Sequence, residues 1–282
     1  MMDELAKYNR ERWEELAKAG VWCSRPMLNL NSDSARKLID PEGMMDDAYG
    51  RDVLCLAGGG GQQSAAFSLL GARVTVLDLC ETQLERDREA AAHYRTQVRT
   101  IEGDMRDLSC FDPGSFDVVW HAHSLNFVPD AEIVFDQVRR VLRPGGQYRL
   151  HCWNPVAHGL DNGWTGVGYA LVYPHVEGME IRNQEQFWDV APWDRSEPGA
   201  EPSKVQEDKP PLRIRGPREF RHTLETIVNG LIRRGFSLQG LWEEDLGTVD
   251  APAGAWDHFK AYAPPWLAIW SRLGKTGARV KQ

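Results

Sequence analysis

Between residues 51 and 154 short apolar runs alternate with amphipathic stretches. DVLCLA at 52–57 runs into glycines, and QQSAAFSLLGA then has helical spacing up to a stop at Gly71. RVTVLDL is β-branched and carries Asp78 near its end. ETQLERDREAAAHYR reads as a charged helix and VRTIEGDM as the next strand. FDVVWHAHS reads as a strand, AEIVFDQVRRVL as a helix, and QYRLHCW as a strand after the Pro144-Gly145-Gly146 turn. Short apolar runs separated by helices predict a parallel sheet covered on both faces, and right-handed crossovers make it doubly wound.

The flanks read differently. Residues 3–19 predict a helix, with Leu5, Tyr8, Trp13 and Leu16 at near-helical spacing and Gly20 closing it. Residues 21–50 are turn-rich, and 155–217 are irregular, with RSEPGAEPSKVQEDKPP expected to face solvent as a flexible loop. REFRHTLETIVNGLIRRG then predicts a helix, while FSLQGLWEE and PPWLAIWSRL predict strands. The expected class is α/β: a doubly wound, mostly parallel, Rossmann-like sheet. Its parts are an N-terminal helical flap (1–50), a core (51–154), an inserted cap (155–217) and a completion of the sheet (218–282).

Composition narrows the function classes. A net charge of −8 over 282 residues speaks against broad contact with a phosphate backbone, so nucleic acid is disfavoured. Cysteines at 23, 55, 80, 110 and 152 form no C-x-x-C pair, disulfide framework or metal-ligand cluster, and a reducing cytoplasm is the simplest setting. The charged N-terminus is unlike a signal peptide, and no segment reaches the roughly 18 apolar residues that a membrane span needs. A homo-oligomer remains open.

The glycines of AGGGGQQ at 57–63 let backbone approach a ligand at the carboxyl edge of the sheet. Asp78, 17 residues past Gly61, can accept from vicinal ribose hydroxyls, or cap the following helix. The next strand ends in IEGDM, where Asp104 can accept from an adenine amino group and Leu79 and Met105 can sandwich the ring. A dinucleotide reading of the turn puts its third glycine on Ser64 and fits less well.

The series VLCLAGGGGQQ, VLD, EGDM, FDVVWHAHS and VLRPGG resembles the motif order of class I S-adenosylmethionine-dependent methyltransferases over about residues 50–154. The resemblance implies that fold and that cofactor. It also implies that Ala57, Gly58, Gly59 and Gly61 wrap the methionine portion and that Asp78 holds the ribose. Leu79, Gly103, Asp104 and Met105 would lie at the adenine, and backbone at His121 and Ala122 near the cofactor. The sequence departs from the pattern at Cys55, where many members carry an acid, and at Ala57, the usual first glycine.

Methyl transfer from a sulfonium needs near-attack geometry and exclusion of water, and a general base only when the acceptor must lose a proton. His123 is the candidate base, since it follows the fourth strand and could share a face with His121 if that strand runs on. His151 and His158 bracket the fifth strand. Eight tryptophans follow residue 150; those in the irregular 155–195 segment, at 164, 188 and 193, suit a pocket wall, while those near 242 and 266 suit packing. Tyr8 and Trp13 could close over the cofactor. The expected activity is in-line methyl transfer to a small-molecule acceptor. The competing readings are a non-catalytic S-adenosylmethionine-binding regulator and, further off, an NAD-dependent oxidoreductase.

Overall fold

The computed structural model describes residues 2–181, 187–191, 193 and 211–275. Seven strands form the main sheet: β1 (Asp52–Leu56), β2 (Arg73–Asp78), β3 (Val98–Glu102), β4 (Phe116–His121), β5 (Leu142–Trp153), β6 (Phe236–Glu244) and β7 (Trp266–Leu273). Their order is β6-β7-β5-β4-β1-β2-β3. β1 to β5 pair in parallel, while β7 runs antiparallel to both β5 and β6. The chain winds outward from β1 to β3 and then returns to β4 on the other side of β1. The carboxyl ends of β1 and β4 therefore flank a switch point, where such sheets open a ligand crevice.

Both faces of the sheet are covered. Alternate residues of β1 explain how: Leu54 and Leu56 enter one cluster with Val119, Tyr148 and Leu150. Phe135 of α5 (Ala131–Val141) and Ile227 and Leu231 of α6 (Leu224–Arg233) close that face. Val53 and Cys55 enter the other cluster with Val76, Trp120 and Trp270. It is covered by α2 (Ser32–Ile39), α3 (Gln63–Leu69) and Leu84 of α4 (Glu81–Tyr94). The doubly wound architecture read from the sequence is the one observed.

The N-terminal helix forms as expected. In α1 (Glu4–Ala19) the Asp3 side chain accepts from the Ala6 N–H, and Gly20 ends the helix at φ 77°. Other elements differ from expectation. α2 forms inside the turn-rich 21–50 stretch, held by a capping box between Asn31 and Ser34. The helix expected from residue 218 begins at Leu224, capped by Thr223, because Phe220–Arg221 pairs antiparallel with Met179–Glu180. A short α7 (Trp256–Tyr262) precedes β7. The insert adds two more two-stranded pieces, Leu160–Trp164 with Tyr169–Leu171 and Phe187–Val190 with Leu212–Arg215. The solvent-facing loop expected at 195–211 falls outside the described residues, apart from Pro211. Among the described residues no helix is long and apolar enough to cross a membrane.

A buried ion cluster ties the linker before β1 to the far edge of the sheet. The Arg149 guanidinium on β5 pairs with Glu42 at 2.7 Å and with Glu244 of β6 at 3.1 Å, and lies over the Trp120 ring. Trp270 Nε1 donates to Glu42, and His151 Nε2 stands 3.1 Å from Glu244. Burial pushes the Glu244 carboxyl up, but its bonds to His151 and Glu42 and the Arg149 charge outweigh this and hold it low. Removing one partner of such a cluster strands buried charge. Arg149→Met is expected to lower the unfolding free energy by about 3 kcal/mol in urea titrations. A loss below about 1 kcal/mol would mean that the two acids are already solvated.

Candidate functional site

The glycine turn leaves β1 at the switch point. Ala57 takes φ 44°, the left-handed region that L side chains adopt at a cost, and Gly60 and Gly61 follow at φ 115° and 72°. The usual glycine is therefore missing where the backbone asks for one. A Cβ on Gly59 would stand 2.6 Å from Gln83 Cβ and 3.0 Å from Asp78 Oδ2, so only glycine allows this approach of turn to acid. One on Gly61 would meet the Arg86 carbonyl at 2.5 Å. Gly58 sits beside Ala122, bringing the end of β4 against the turn.

Two carboxylates hold the turn. Asp78 Oδ2 accepts from the Gly59 N–H at 3.0 Å and its Oδ1 from the Cys80 N–H at 2.9 Å. Each oxygen keeps a free lone pair, as a ribose-binding acid requires. Asp87, on α4 and fully buried, accepts from the Gly60 and Gly61 N–H groups at 3.2 and 3.1 Å and from the Ser64 hydroxyl. The sequence reading missed Asp87. The available signal was its i,i+4 spacing from Gln83, which puts two polar groups on the turn-facing side of α4. Desolvation raises Asp78 to about 6, against its backbone bonds. Desolvation and the charge of Asp78 raise Asp87 to about 7, against the Ser64 bond. Cys55, in place of a strand-one acid, is fully buried, with its thiol pushed up by burial and by Asp87 nearby.

The residues expected at the adenine are arranged less simply. Gly103 donates to the Asp78 carbonyl at 2.9 Å, and a Cβ there would press Leu77 at 3.1 Å. Leu79 is half-buried, while Met105 lies in the core cluster with Leu77 and Leu108. The Asp104 carboxylate, expected to accept from an adenine amino group, is bound by Arg106 through Nε and Nη2, and Nη1 and Nη2 of the same guanidinium reach Asp3 at 2.8 and 2.9 Å. Arg106 thus fastens the start of α1 to the end of β3. Glu14 accepts from the Thr82 hydroxyl at 2.6 Å, and Asn9 donates to the Phe127 carbonyl at 3.1 Å. α1 therefore roofs the carboxyl edge from β3 to the loop after β4. Trp13 joins this roof through edge contacts with Phe127 and Trp188.

The two histidines after β4 part company because the strand ends at His121. His121 is fully buried, its Nδ1 2.8 Å from the Tyr148 hydroxyl and its Nε2 2.9 Å from Ser124 Oγ. Burial drops it to about 3 and keeps it neutral, so its ring belongs to the core and only its backbone faces the turn side. His123 packs on Trp266 at 4.3 Å, with His151 and Trp153 beyond. Trp266, expected to serve packing, packs its ring against both His123 and Trp153. Desolvation, with His151 and His158 nearby, holds His123 well below the usual histidine range, and its buried Nδ1 has no hydrogen-bond partner.

Beyond Trp153 lies a cavity of about 560 Å³ that His158, Glu219, Trp188, Trp256 and Phe259 help to line. Another hollow of about 780 Å³, lined by Arg73, Val98 and Phe116, lies at the opposite, amino edge of the strands and away from this chemistry. The first cavity is of the size that small-molecule sites use. The turn also fits an adenosyl amino acid on its own terms: Gln83 Oε1 is a buried acceptor without a donor, which a ligand hydroxyl or amino group would satisfy. No cluster of three or more metal-ligating side chains occurs among the described residues.

Comparisons with known proteins bear on the family and the fold. A family model described as a methyltransferase domain matches residues 54–150. The uncharacterized methyltransferase YbaJ of Bacillus subtilis is 33% identical over 242 residues, covering 83% of this chain and 82% of that protein. The sarcosine/dimethylglycine N-methyltransferase of Halorhodospira halochloris is 30% identical over 122 residues, but these are only 42% of this chain and 43% of that enzyme. An S-adenosylmethionine-dependent methyltransferase from Mesorhizobium loti superimposes with a TM-score of 0.58 at 22% identity, over 86% of this chain and all of that one. The geranyl diphosphate C-methyltransferase of Streptomyces coelicolor does so with a TM-score of 0.59 at 14% identity, over 96% and 98% of the two chains. These two likenesses establish the fold.

Two outcomes follow from the turn. Ala57→Gly is expected to raise stability by about 1 kcal/mol in urea titrations, by removing the left-handed strain; a loss of stability would show that the Ala57 methyl earns more by packing. Asp78 and Asp87 titrate higher folded than unfolded, so between about pH 4 and 7 the folded chain binds more protons. Stability of the ligand-free protein should therefore rise as pH falls from 7 towards 5, and Asp87→Asn should flatten that rise. Thermal melts across that range that fall steadily with acid would contradict the assignment.

Proposed function

Because the chain belongs to the methyltransferase-domain family, with S-adenosylmethionine as its methyl donor, we propose that it methylates a small molecule held in the cavity beyond β5. The observation that carries this reading is the junction itself. The glycine turn with Asp78 stands on one side of Ala122 and His123, and the aromatic cavity on the other. When bound, S-adenosylmethionine supplies a methyl group on a sulfonium, activated for in-line displacement.

The chain's residues bind, orient and exclude water. Ala57, Gly58, Gly59 and Gly61 give the backbone clearance along the amino-acid end, and Asp78 accepts from the ribose hydroxyls. Leu79, Gly103 and Met105 border the adenine. Asp104 meets its amino group while sharing its carboxylate with Arg106. His121 contributes backbone alone. The α1 roof shuts water out, and a closed site strengthens each polar contact inside it. His123, kept neutral by desolvation, offers Nδ1 to an N–H or O–H of the acceptor and so orients the nucleophile or takes its proton. The five cysteines are unpaired, in keeping with work in the cytoplasm.

Calorimetry with S-adenosylmethionine, S-adenosylhomocysteine and NAD tests the cofactor site, and turnover on a panel of small acceptors tests catalysis. Asp78→Ala should weaken S-adenosylhomocysteine by about tenfold or more. His123→Ala should lower turnover by about a hundredfold with cofactor affinity nearly intact. Unchanged turnover would remove His123 from the reaction.

A further inference from the structure

The cavity beyond β5 has a chemical bias. Its walls are aromatic, from Trp153, Tyr173, Phe187, Trp188, Trp256 and Phe259, and its polar edge carries two carboxylates, Asp161 and Glu219. Among the described lining residues there is no lysine or arginine. Resting on the methyltransferase reading, we infer that this cavity receives an organic cation, a substituted ammonium with apolar flanks, so that the acceptor is an amine or carries one.

Several carboxylates elsewhere in the described residues are neutralised by arginine, and these two are not. Asp3, Asp52, Asp104 and Asp117 each pair with an arginine, as do Glu42 and Glu180. Glu219 has instead the Asn126 amide at 3.3 Å and His158 Nε2 at 3.5 Å. Asp161 accepts from the Gly163 N–H at 2.7 Å, and no cationic side chain among the described residues pairs with it. His158 is 8% exposed, stacked flat on Trp153 at 5.0 Å, and its Nε2 beside Glu219 has no hydrogen-bond partner. This edge is therefore a partly desolvated negative charge with unspent bonding capacity, set among aromatic faces.

Such faces carry negative potential and attract cations, most strongly where water is excluded. A ligand anion finds the reverse. The buried Arg221 guanidinium gives three of its N–H groups to the Tyr173, Pro174 and Pro155 carbonyls, and it is not among the described residues that line the cavity. The chemistry of walls and edge thus selects positive over neutral and neutral over negative.

The direct test is calorimetric titration of the full chain, with and without S-adenosylhomocysteine, using three probes of one shape. Choline carries the charge, 3,3-dimethylbutanol is its neutral isostere, and 3,3-dimethylbutanoate is the anion. Choline should bind about tenfold or more tighter than the alcohol, and the anion should bind weakest. Glu219→Gln should erase most of the preference while the alcohol binds as before; Asp161→Asn, at an exposed position, should reduce it in part. Equal affinity for choline and the alcohol, tighter binding of the anion, no choline binding at all, or a preference untouched by both variants would each overturn the inference. The methyltransferase reading stands or falls separately, on S-adenosylhomocysteine binding in the same cell.

Discussion

The site depends on one buried carboxylate. Asp87 reaches from α4 to two consecutive N–H groups of the glycine turn and to Ser64 at the start of α3. A turn with positive φ at Ala57, Gly60 and Gly61 exposes its amides, and buried amides without acceptors are costly. Asp87 satisfies them from outside and fixes the turn against α4, the helix that follows Asp78. Asp78 then completes the arrangement through Gly59. Two acids this close, both desolvated, resist ionisation; a cationic ligand group nearby would favour the charged form of each.

This coupling explains how the chain tolerates Cys55 and Ala57. A carboxylate still lies near the turn, though it comes from α4 and not from β1. Its charge is felt at Cys55, whose thiol it helps to push up. The strain at Ala57 remains in the fold, where β1 ends and the glycine turn begins, and neighbouring bonds such as Ala57 N–H to the Leu77 carbonyl hold it there.

Most of the parallel core was legible because β1, β2 and β4 are short apolar runs, and helices separate β1 from β2, β2 from β3 and β4 from β5. Asp78 and Gly59 were legible for a related reason: strand ends and glycine turns fall at fixed places in such a fold. What lay beyond reach was set by contacts distant in sequence. Nothing near Asp104 says that Arg106 will take its carboxylate and bridge to Asp3. Nothing in REF at 218–220 says that Phe220 will pair with Glu180 and not begin a helix. His121 and His123 look alike in the sequence, yet the end of β4 sends one ring into the core and leaves the other against Trp266. Glu219 stands in that same stretch and reads there as one more helix-surface acid.

The account rests on the turn and the cavity being two halves of one site. A crystal structure with S-adenosylhomocysteine tests that most directly. The prediction is a ligand whose ribose hydroxyls meet Asp78, with the Asp87 bonds intact and the sulfur facing His123 and the cavity lined by Trp153. A ligand bound elsewhere, or a sulfur turned away from that cavity, would contradict it.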